Sequence, residues 1–279
     1  MKVTVLIENT TLSELVCEHG LSMFIEYKDK YYLLDAGATG VFMQNAEKMN
    51  IPLDKAECAV LSHGHDDHGG GFGKYLEKYG DTKVYAMKNI MEEYYSGSGG
   101  TIHYIGLPKE IAEKHGSSFE PVDKVVQICA GVYLVPDCSK GMSRVGKRTG
   151  LYKKRGEEMV YDDFDHELSL VFDTEKGLVI FNSCSHTGIV NIIEEVKKAI
   201  PNKNIYAFFG GLHMRGKEGE KEICIYTEQE IEIISDYLKK AGISKIYTGH
   251  CTGETAMRIL KKYLGETVET IHTGRIINI

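Results

Sequence analysis

Three histidines and two aspartates fall within six consecutive residues, 63–68. The segment reads His63-Gly64-His65-Asp66-Asp67-His68. The apolar residues before it, 57–62, predict a β-strand, so these side chains would stand in a loop at the end of that strand. Imidazole and carboxylate groups are the usual protein ligands of zinc. A polar surface turn rarely reaches this density of ligands, and the segment therefore predicts a metal site.

The spacing within this segment suggests two metal ions. Histidines two residues apart, such as His63 and His65, can converge on one ion from an extended loop, whereas a helix would put them on different faces. Asp67 and His68 can then turn toward a second ion. Two ions about 3.5–4 Å apart can share a hydroxide, and a metal lowers the pKa of water to about 7. Asp67 would bind a metal and orient this nucleophile.

Composition limits the other classes of function. The net charge of −7 argues against a general nucleic-acid binder, which would carry a basic surface. No apolar run approaches the ~20 residues that a membrane span needs, and the N-terminal apolar run is too short for a signal peptide. The expected compartment is the cytoplasm. The seven cysteines are scattered without a C-x-x-C pair, so a disulfide framework is not expected.

Strands precede helices in each half of the chain, which predicts an α/β fold with two sheets between outer helices, a four-layer αββα sandwich. Residues 23–27 and 31–34 flank a short turn and predict a hairpin. A second hairpin is expected from residues 168–172 and 178–182. We expect one domain over residues 1–279, with active-site insertions at 93–121 and 138–165, because long irregular segments in compact domains are often functional.

The pattern H-x-H-x-D-H after a strand resembles the signature of the metallo-β-lactamase superfamily, and the resemblance extends over nearly the whole chain. It implies the αββα fold and a binuclear metal site. Zinc is the expected metal, with iron and manganese as alternatives. It also implies that Asp35, which follows the apolar residues 32–34, orients a ligand histidine through a hydrogen bond. His250 matches the family histidine that binds the second metal.

The third histidine of the first metal site is less clear, because the family pattern G-H-T-x-G is absent. If Asp173 opposes Leu178 in the second hairpin, then His166, Cys184 and His186 cluster at one end of the sheet. His186 is the favoured ligand, and His166 would stand behind the ligands or face the substrate. Cys184 occupies the position of a bridging aspartate in many members, either as a thiolate ligand or as an inert neighbour.

Three further segments narrow the resemblance. They are Ser183-Cys184-Ser185-His186, Gly210-Gly211-Leu212-His213 and His250-Cys251-Thr252-Gly253. The chain looks like the superfamily branch often named after 7,8-dihydropterin-6-yl-methyl-4-(β-D-ribofuranosyl)aminobenzene-5′-phosphate synthase. His213 is a candidate for substrate contact or proton transfer. His19, His103, His115 and His272 lack such a context and are expected to be ordinary surface or core histidines.

The leading prediction is a binuclear metal-dependent hydrolase that uses a metal-bound hydroxide on a small anionic ester or phosphoester. The alternative is the pterin-forming transferase of the branch. Residues 139–155 carry seven lysines and arginines and no acidic residue, so this segment would attract an anionic substrate if it covers the metals. A solvated loop is the other interpretation of these charges. The sequence leaves the metal, the substrate and the oligomeric state open, and it favours neither nucleic acid nor membrane as a partner.

Overall fold

The structure, a computed structural model, describes residues 1–80, 82–137, 140–219 and 221–279. The first residues of the predicted 138–165 insertion, Cys138 and Ser139, lie outside the described residues. The chain divides into two compact units. The first unit comprises Met1–Glu93, Ile105–Asp123 and Ile271–Ile279, and the second comprises Tyr94–Tyr104 and Lys124–Thr270. The organisation as one domain over residues 1–279 stays a prediction.

Strands and helices alternate along much of the chain. In chain order the strands of the described residues are β1 (Lys2–Ile7), β2 (Ser22–Tyr27), β3 (Lys30–Leu34), β4 (Ala56–Val60), β5 (Val84–Met87), β6 (Tyr94–Ser96), β7 (His103–Tyr104), β8 (Phe119–Val122), β9 (Val126–Cys129), β10 (Val132–Pro136), β11 (Leu151–Arg155), β12 (Glu158–Tyr161), β13 (Leu168–Thr174), β14 (Gly177–Phe181), β15 (Ile205–Phe209), β16 (Arg215–Glu218), β17 (Lys221–Cys224), β18 (Lys245–Thr248), β19 (Val268–Thr270) and β20 (Ile276–Asn278). The α-helices are α1 (Phe42–Lys48), α2 (Asp66–Gly69), α3 (Phe72–Lys78), α4 (Lys109–His115), α5 (Ser143–Thr149), α6 (Ile189–Ala199), α7 (Glu228–Lys240) and α8 (Glu254–Leu264).

A seven-stranded sheet in the order β20-β1-β2-β3-β4-β5-β8 forms the first unit. Its early strands pair antiparallel, and β3, β4, β5 and β8 are parallel. The predicted hairpin is confirmed by the antiparallel pairing of β2 with β3, and Lys28 and Asp29 between them both have a positive φ. Two such residues make the turn that best matches the twist of paired strands. Phe42 and Phe72 of α1 and α3 are fully buried in the apolar core of this unit.

The second unit contains another seven-stranded mixed sheet, in the order β19-β18-β15-β14-β13-β10-β9. Asp173 pairs with Leu178 across the β13–β14 hairpin, which confirms the predicted register. Buried apolar side chains at helical spacing attach α6 to the core, among them Ile192 and Ile193. A capping box at Thr227 starts α7, as the sequence indicates. The predicted α/β class is confirmed by the mixed sheets and helices of both units.

Parts of both predicted insertions contribute to one small sheet of the second unit. Its order is β12-β11-β6-β7, so residues 94–104 pair with residues 151–161. Residues 105–123, by contrast, belong to the first unit and carry α4 and β8. None of the helices in the described ranges is long and apolar enough to cross a membrane.

Candidate metal centre

Three of the predicted ligands converge in the first unit, at the end of the parallel strand β4. His63 and His68 are fully buried, and His65 is 5% exposed. The centroid of the His63 ring lies 4.6 Å from that of His65 and 4.3 Å from that of His68. His65 keeps an extended backbone, and α2 begins at the next residue, so the chain bends between the second and third imidazole. The structure therefore brings these three side chains together.

A buried carboxylate sets the tautomers of two of these histidines. Asp35 is fully buried and accepts hydrogen bonds from the Ser62 backbone at 2.8 Å, the Ser62 hydroxyl at 2.7 Å and Nδ1 of His68 at 2.8 Å. The Ser62 hydroxyl has one proton and gives it to this carboxylate, so Nδ1 of His63, 2.9 Å away, must be the donor to Ser62. Both rings thus carry their proton on Nδ1, which makes Nε2 the atom that can bind a metal.

Asp67 lies against this histidine group through its side chain. Its Oδ2 is 3.6 Å from Nε2 of His68 and 3.3 Å from Nε2 of His19. His19, expected from the sequence to be an ordinary surface or core histidine, is therefore an additional neighbour of the candidate site. Burial, followed by the charge of Asp67, raises the pKa of Asp66 to about 6. A cation beside Asp67 would offset this concentration of negative charge.

In the second unit, His186 stands in the loop between β14 and α6. Glu167, also fully buried, accepts the backbone N–H of His186 at 2.8 Å and that of Thr187 at 3.0 Å. Ser185 has a positive φ of 53° and donates its hydroxyl hydrogen bond to the Gly211 carbonyl at 2.7 Å. These bonds fix the backbone on both sides of the imidazole. A ligand held in this way loses little conformational freedom when it binds.

The rings around His186 agree with the predicted cluster. Phe164 stacks on His186 with ring centroids 4.7 Å apart, and its ring lies 6.1 Å from that of His166. His166 is fully buried, and its Nε2 lies 3.0 Å from Oδ2 of Asp162, which is also fully buried. On the other side, the His213 ring is 4.2 Å from the ring of His186. His166, His186 and His213 thus share one region of the second unit.

His250 and Cys251 follow the parallel strand β18. His250 is 5% exposed and has a positive φ of 49°, and His213 has one of 43°. Non-glycine residues rarely adopt this conformation, and it often marks functional sites. The Cys251 Sγ lies 3.4 Å from the Sγ of Cys184. Burial acts to raise the pKa of the Cys251 thiol, but hydrogen bonds with Cys184 and His213 outweigh burial and hold the pKa well below its usual value.

Buried acidic groups stand behind the His186 loop. Burial, then the charge of Asp137, raises the pKa of Glu167 to about 8. The Thr187 hydroxyl lies 2.8 Å from Oε2 of Glu167 and also contacts Oδ2 of Asp137. A single hydroxyl proton can satisfy one carboxylate, so the second contact needs a proton from a carboxyl group. The raised pKa of Glu167 agrees with this requirement.

Some of the cations between residues 140 and 155 have acidic partners. Lys153 is fully buried and forms ion pairs with Asp163 and, at 2.6 Å, with Asp165. Arg148 forms an ion pair with Glu230 at 2.8 Å. The attraction of anions by this segment stays a prediction, and it depends on its other cations.

Helix α5 carries two of those cations, the exposed side chains of Arg144 and Lys147. The residue before α5, Met142, has its sulfur 3.6 Å from Nδ2 of Asn191, which also donates to the carbonyl of Thr187 at 2.5 Å. These contacts place the start of α5 beside the loop between β14 and α6. The cations of α5 are therefore close in the fold to the predicted ligand of that loop.

Comparison with known proteins identifies the family. The metallo-beta-lactamase superfamily model matches residues 15–138. The 7,8-dihydropterin-6-methyl-4-(beta-D-ribofuranosyl)-aminobenzene-5'-phosphate synthase of Methanocaldococcus jannaschii is 30% identical over 274 residues, which cover 93% of this chain and 90% of that protein. The chain belongs to the metallo-β-lactamase superfamily. The resemblance seen in the sequence is confirmed, and the named relative is an enzyme.

Solved structures support the same superfamily. A metal-dependent hydrolase of the beta-lactamase superfamily has a TM-score of 0.82 and 28% identity, with 100% of this chain and 99% of that chain covered. A diphosphatase from the PhnP family has a TM-score of 0.53 at 14% identity, with 100% and 97% covered, and shows the fold alone. The predicted metallo-β-lactamase fold is confirmed. Members of this superfamily typically bind divalent metals, and each unit contains a group of side chains suited to them.

Several residues near the predicted ligands were not anticipated from the sequence. Ser62 directly precedes His63, and Glu167 directly follows His166, so adjacency to a predicted site residue was the available signal. Phe164 carries no such signal, because an aromatic residue in a polar segment indicates burial but no partner.

Proposed function

We propose that the chain is a hydrolase that uses two divalent metal ions, most simply zinc, on a small anionic ester or phosphoester. The observation that carries the proposal is the group of three buried imidazoles in the first unit, two of them held with Nε2 as the metal-binding atom by Asp35 and Ser62. Buried histidines rarely cluster without a ligand to compensate their desolvation. The family and the metal-dependent relative support this proposal.

In this proposal two ions share the predicted ligands. His63, His65 and His186 bind the first ion, and Asp67, His68 and His250 bind the second. This donor set of imidazoles and a carboxylate suits zinc, iron and manganese alike. When bound, the ions would supply a hydroxide nucleophile near neutral pH and polarise the substrate.

The remaining residues orient the ligands and handle protons. Asp35 and Glu167 hold His68 and the His186 loop through the hydrogen bonds described above. Asp67 binds a metal and orients the nucleophile. His166, paired with Asp162, or His213 donates the proton that the leaving group needs. Arg144 and Lys147 on α5 attract the anionic part of the substrate.

The ligand assignment is tested by His65→Ala, because this buried side chain lies inside the histidine group. Elemental analysis of the purified variant should show the loss of at least one metal per chain, and ester hydrolysis should disappear. The control is His103→Ala, which removes an exposed histidine on β7. A His65→Ala protein that keeps both ions at wild-type affinity would refute the assignment.

The substrate class is tested with the metal-loaded protein on phosphodiesters, phosphomonoesters, thioesters and lactones. The double variant Arg144→Gln/Lys147→Gln should raise the KM of an anionic ester and leave the metal content unchanged. A neutral ester of similar size serves as the control and should be unaffected. An equal effect on both esters would refute a role for α5 in attracting anions.

A second candidate function is the pterin-forming transfer reaction, which the 30% identity to the synthase of M. jannaschii favours. Incubation with a pterin pyrophosphate and a ribosylated aminobenzene phosphate separates the two possibilities. The transferase would join the two substrates and release pyrophosphate. The hydrolase would leave them unjoined and cleave simple esters instead.

A further inference from the structure

Two thiols and an imidazole meet in the second unit, beside the proposed histidine ligands. Cys184, Cys251 and His213 each offer one ligand atom, and these three atoms all lie within 4.8 Å of one another. The two cysteines are 3% and 6% exposed. The resemblance to the family gives no ligand role to Cys251, and the proposed function uses His213 at most as a proton donor. This group is therefore unexplained by the proposed centre.

The distance between the two sulfurs fits two ligands of one metal ion better than it fits a disulfide bond. The sulfurs are 3.4 Å apart, whereas a disulfide needs about 2.05 Å. Two thiolates on a tetrahedral zinc, with Zn–S bonds of about 2.3 Å, stand about 3.8 Å apart. Nδ1 of His213 is buried and has no hydrogen-bond partner among the described residues. A buried ring nitrogen of this kind is usually satisfied by a partner, and a metal ion would be one.

The backbone around the three side chains is fixed before any ligand binds. The N–H of His213 donates to the Cys251 sulfur at 3.3 Å, and the N–H of Met214 donates to the Cys251 carbonyl at 3.1 Å. Gly211 makes the close approach possible, because a Cβ there would lie 2.4 Å from the same sulfur. The loops after β14, β15 and β18 are thus held together, which lowers the entropy cost of binding.

We propose that Cys184, Cys251 and His213 form a separate binding site for one thiophilic metal cation of the class of zinc or copper(I). Two soft sulfur ligands and an imidazole suit such cations better than magnesium or calcium. Binding releases the thiol protons to solvent and forms two metal–sulfur bonds and one metal–nitrogen bond. The site goes beyond the proposed function, and it leaves His166 as the proton donor there.

The test uses the full-length chain, reduced and stripped of metal, and titrates it with cadmium as the probe. Cadmium bound by thiolates absorbs in the ultraviolet through charge transfer from sulfur, whereas cadmium on histidine and carboxylate ligands does not. The expected result is this absorption in the wild type, its loss in Cys184→Ser and Cys251→Ser, and an affinity lowered at least about tenfold in His213→Ala. The matched control is Cys224→Ser, which replaces a cysteine of β17. This variant should keep the absorption.

Three outcomes would overturn the proposal. Absence of the absorption in the wild type would mean that Cys184 and Cys251 form a hydrogen-bonded thiol pair and bind no metal. Absorption that needs Cys184 but neither Cys251 nor His213 would make Cys184 a ligand of the histidine centre. Loss of the absorption in His65→Ala would show that the two sites are one. Its persistence in His65→Ala, by contrast, separates this site from the proposed function, whose failure appears as unchanged metal content in that variant.

A wild-type measurement guards against variants that fail to fold. Cadmium should protect Cys184 and Cys251, and leave Cys17 reactive, when the chain is treated with an alkylating reagent and the modified cysteines are identified by mass spectrometry. Cys17 is exposed, so it reports the reagent's activity in the same sample. Equal alkylation of both buried cysteines with and without cadmium would contradict the proposal.

Discussion

Asp35→Asn tests the hydrogen-bond arrangement behind the candidate metal ligands. The carboxylate accepts three hydrogen bonds, and its Oδ2 alone accepts those from the Ser62 hydroxyl and from Nδ1 of His68. An asparagine keeps the shape but offers one acceptor oxygen. If the NH₂ end of the asparagine faces Nδ1 of His68, the ring must carry its proton on Nε2 instead. It can then no longer bind a metal through Nε2. If the NH₂ end instead takes the position of Oδ1, the Ser62 N–H loses its acceptor.

The size of the effect follows from the lost bond. A hydrogen bond to a charged group contributes about 1.5–3 kcal/mol. Changes to residues that orient metal ligands lower metal affinity about 10–100-fold, which corresponds to about 1.4–2.7 kcal/mol. We therefore expect losses of similar size in the free energy of unfolding and in the free energy of zinc binding. The measurements are urea unfolding of the metal-free protein and a zinc titration in competition with a coloured chelator.

Asp29→Asn is the matched control for this experiment. Asp29 also has a left-handed backbone, with φ 59° against 55° for Asp35, but it is exposed in the turn between β2 and β3. The same chemical change there should leave both stability and zinc affinity at the wild-type level. If Asp35→Asn bound zinc as tightly as the wild type, the proposed control of the His68 tautomer would be refuted.

Two further predictions concern the second unit. Gly211→Ala should lower the free energy of unfolding by about 1–3 kcal/mol, because the new Cβ would lie 2.4 Å from the Cys251 sulfur. The control is Gly116→Ala, where nothing lies within 4 Å of the new Cβ. Equal urea midpoints for the two variants would contradict this prediction. The hydrogen bond from Arg148 lowers the pKa of Glu230 from 4.5 to about 2, so the ionised carboxylate stabilises the fold above pH 4.5 and this contribution disappears as the pH falls toward 2. Arg148→Met should therefore lower the free energy of unfolding near neutral pH by less than about 1 kcal/mol, since the pair lies at the surface. The difference from the wild type, measured by urea unfolding, should shrink in acid, and a difference that grows in acid would contradict the assignment.

Local patterns predicted the elements that depend on neighbours in the sequence. The β2–β3 hairpin, the register of β13 with β14 and the capping box at Thr227 all follow from residues a few positions apart. The histidine segment is similar, because His63, His65 and His68 lie within six consecutive residues and can converge without a contribution from distant parts of the chain. For these features, short-range geometry determines the result, and sequence periodicity carries enough information.

Features that depend on distant parts of the chain could not be predicted in the same way. The approach of Cys184 to Cys251 requires the ends of β14 and β18 to stand on the two sides of β15, which the sheet order establishes. The partner of the buried Lys153 was also unpredictable, since a run of cations in sequence suggests an exposed surface. Positive φ angles at His213 and His250 arise from tertiary contacts and leave no mark on side-chain patterns.

The most direct test of the central claim is a crystal structure of the zinc-loaded protein with anomalous diffraction at the zinc absorption edge. The account predicts two neighbouring zinc peaks among the histidine ligands, in addition to any zinc bound by Cys184, Cys251 and His213. Nε2 of His63 and Nε2 of His68 should each be bonded to zinc, with His186 on one ion and His250 on the other. Zinc peaks found elsewhere, with these four imidazoles bonded to no ion, would contradict the account.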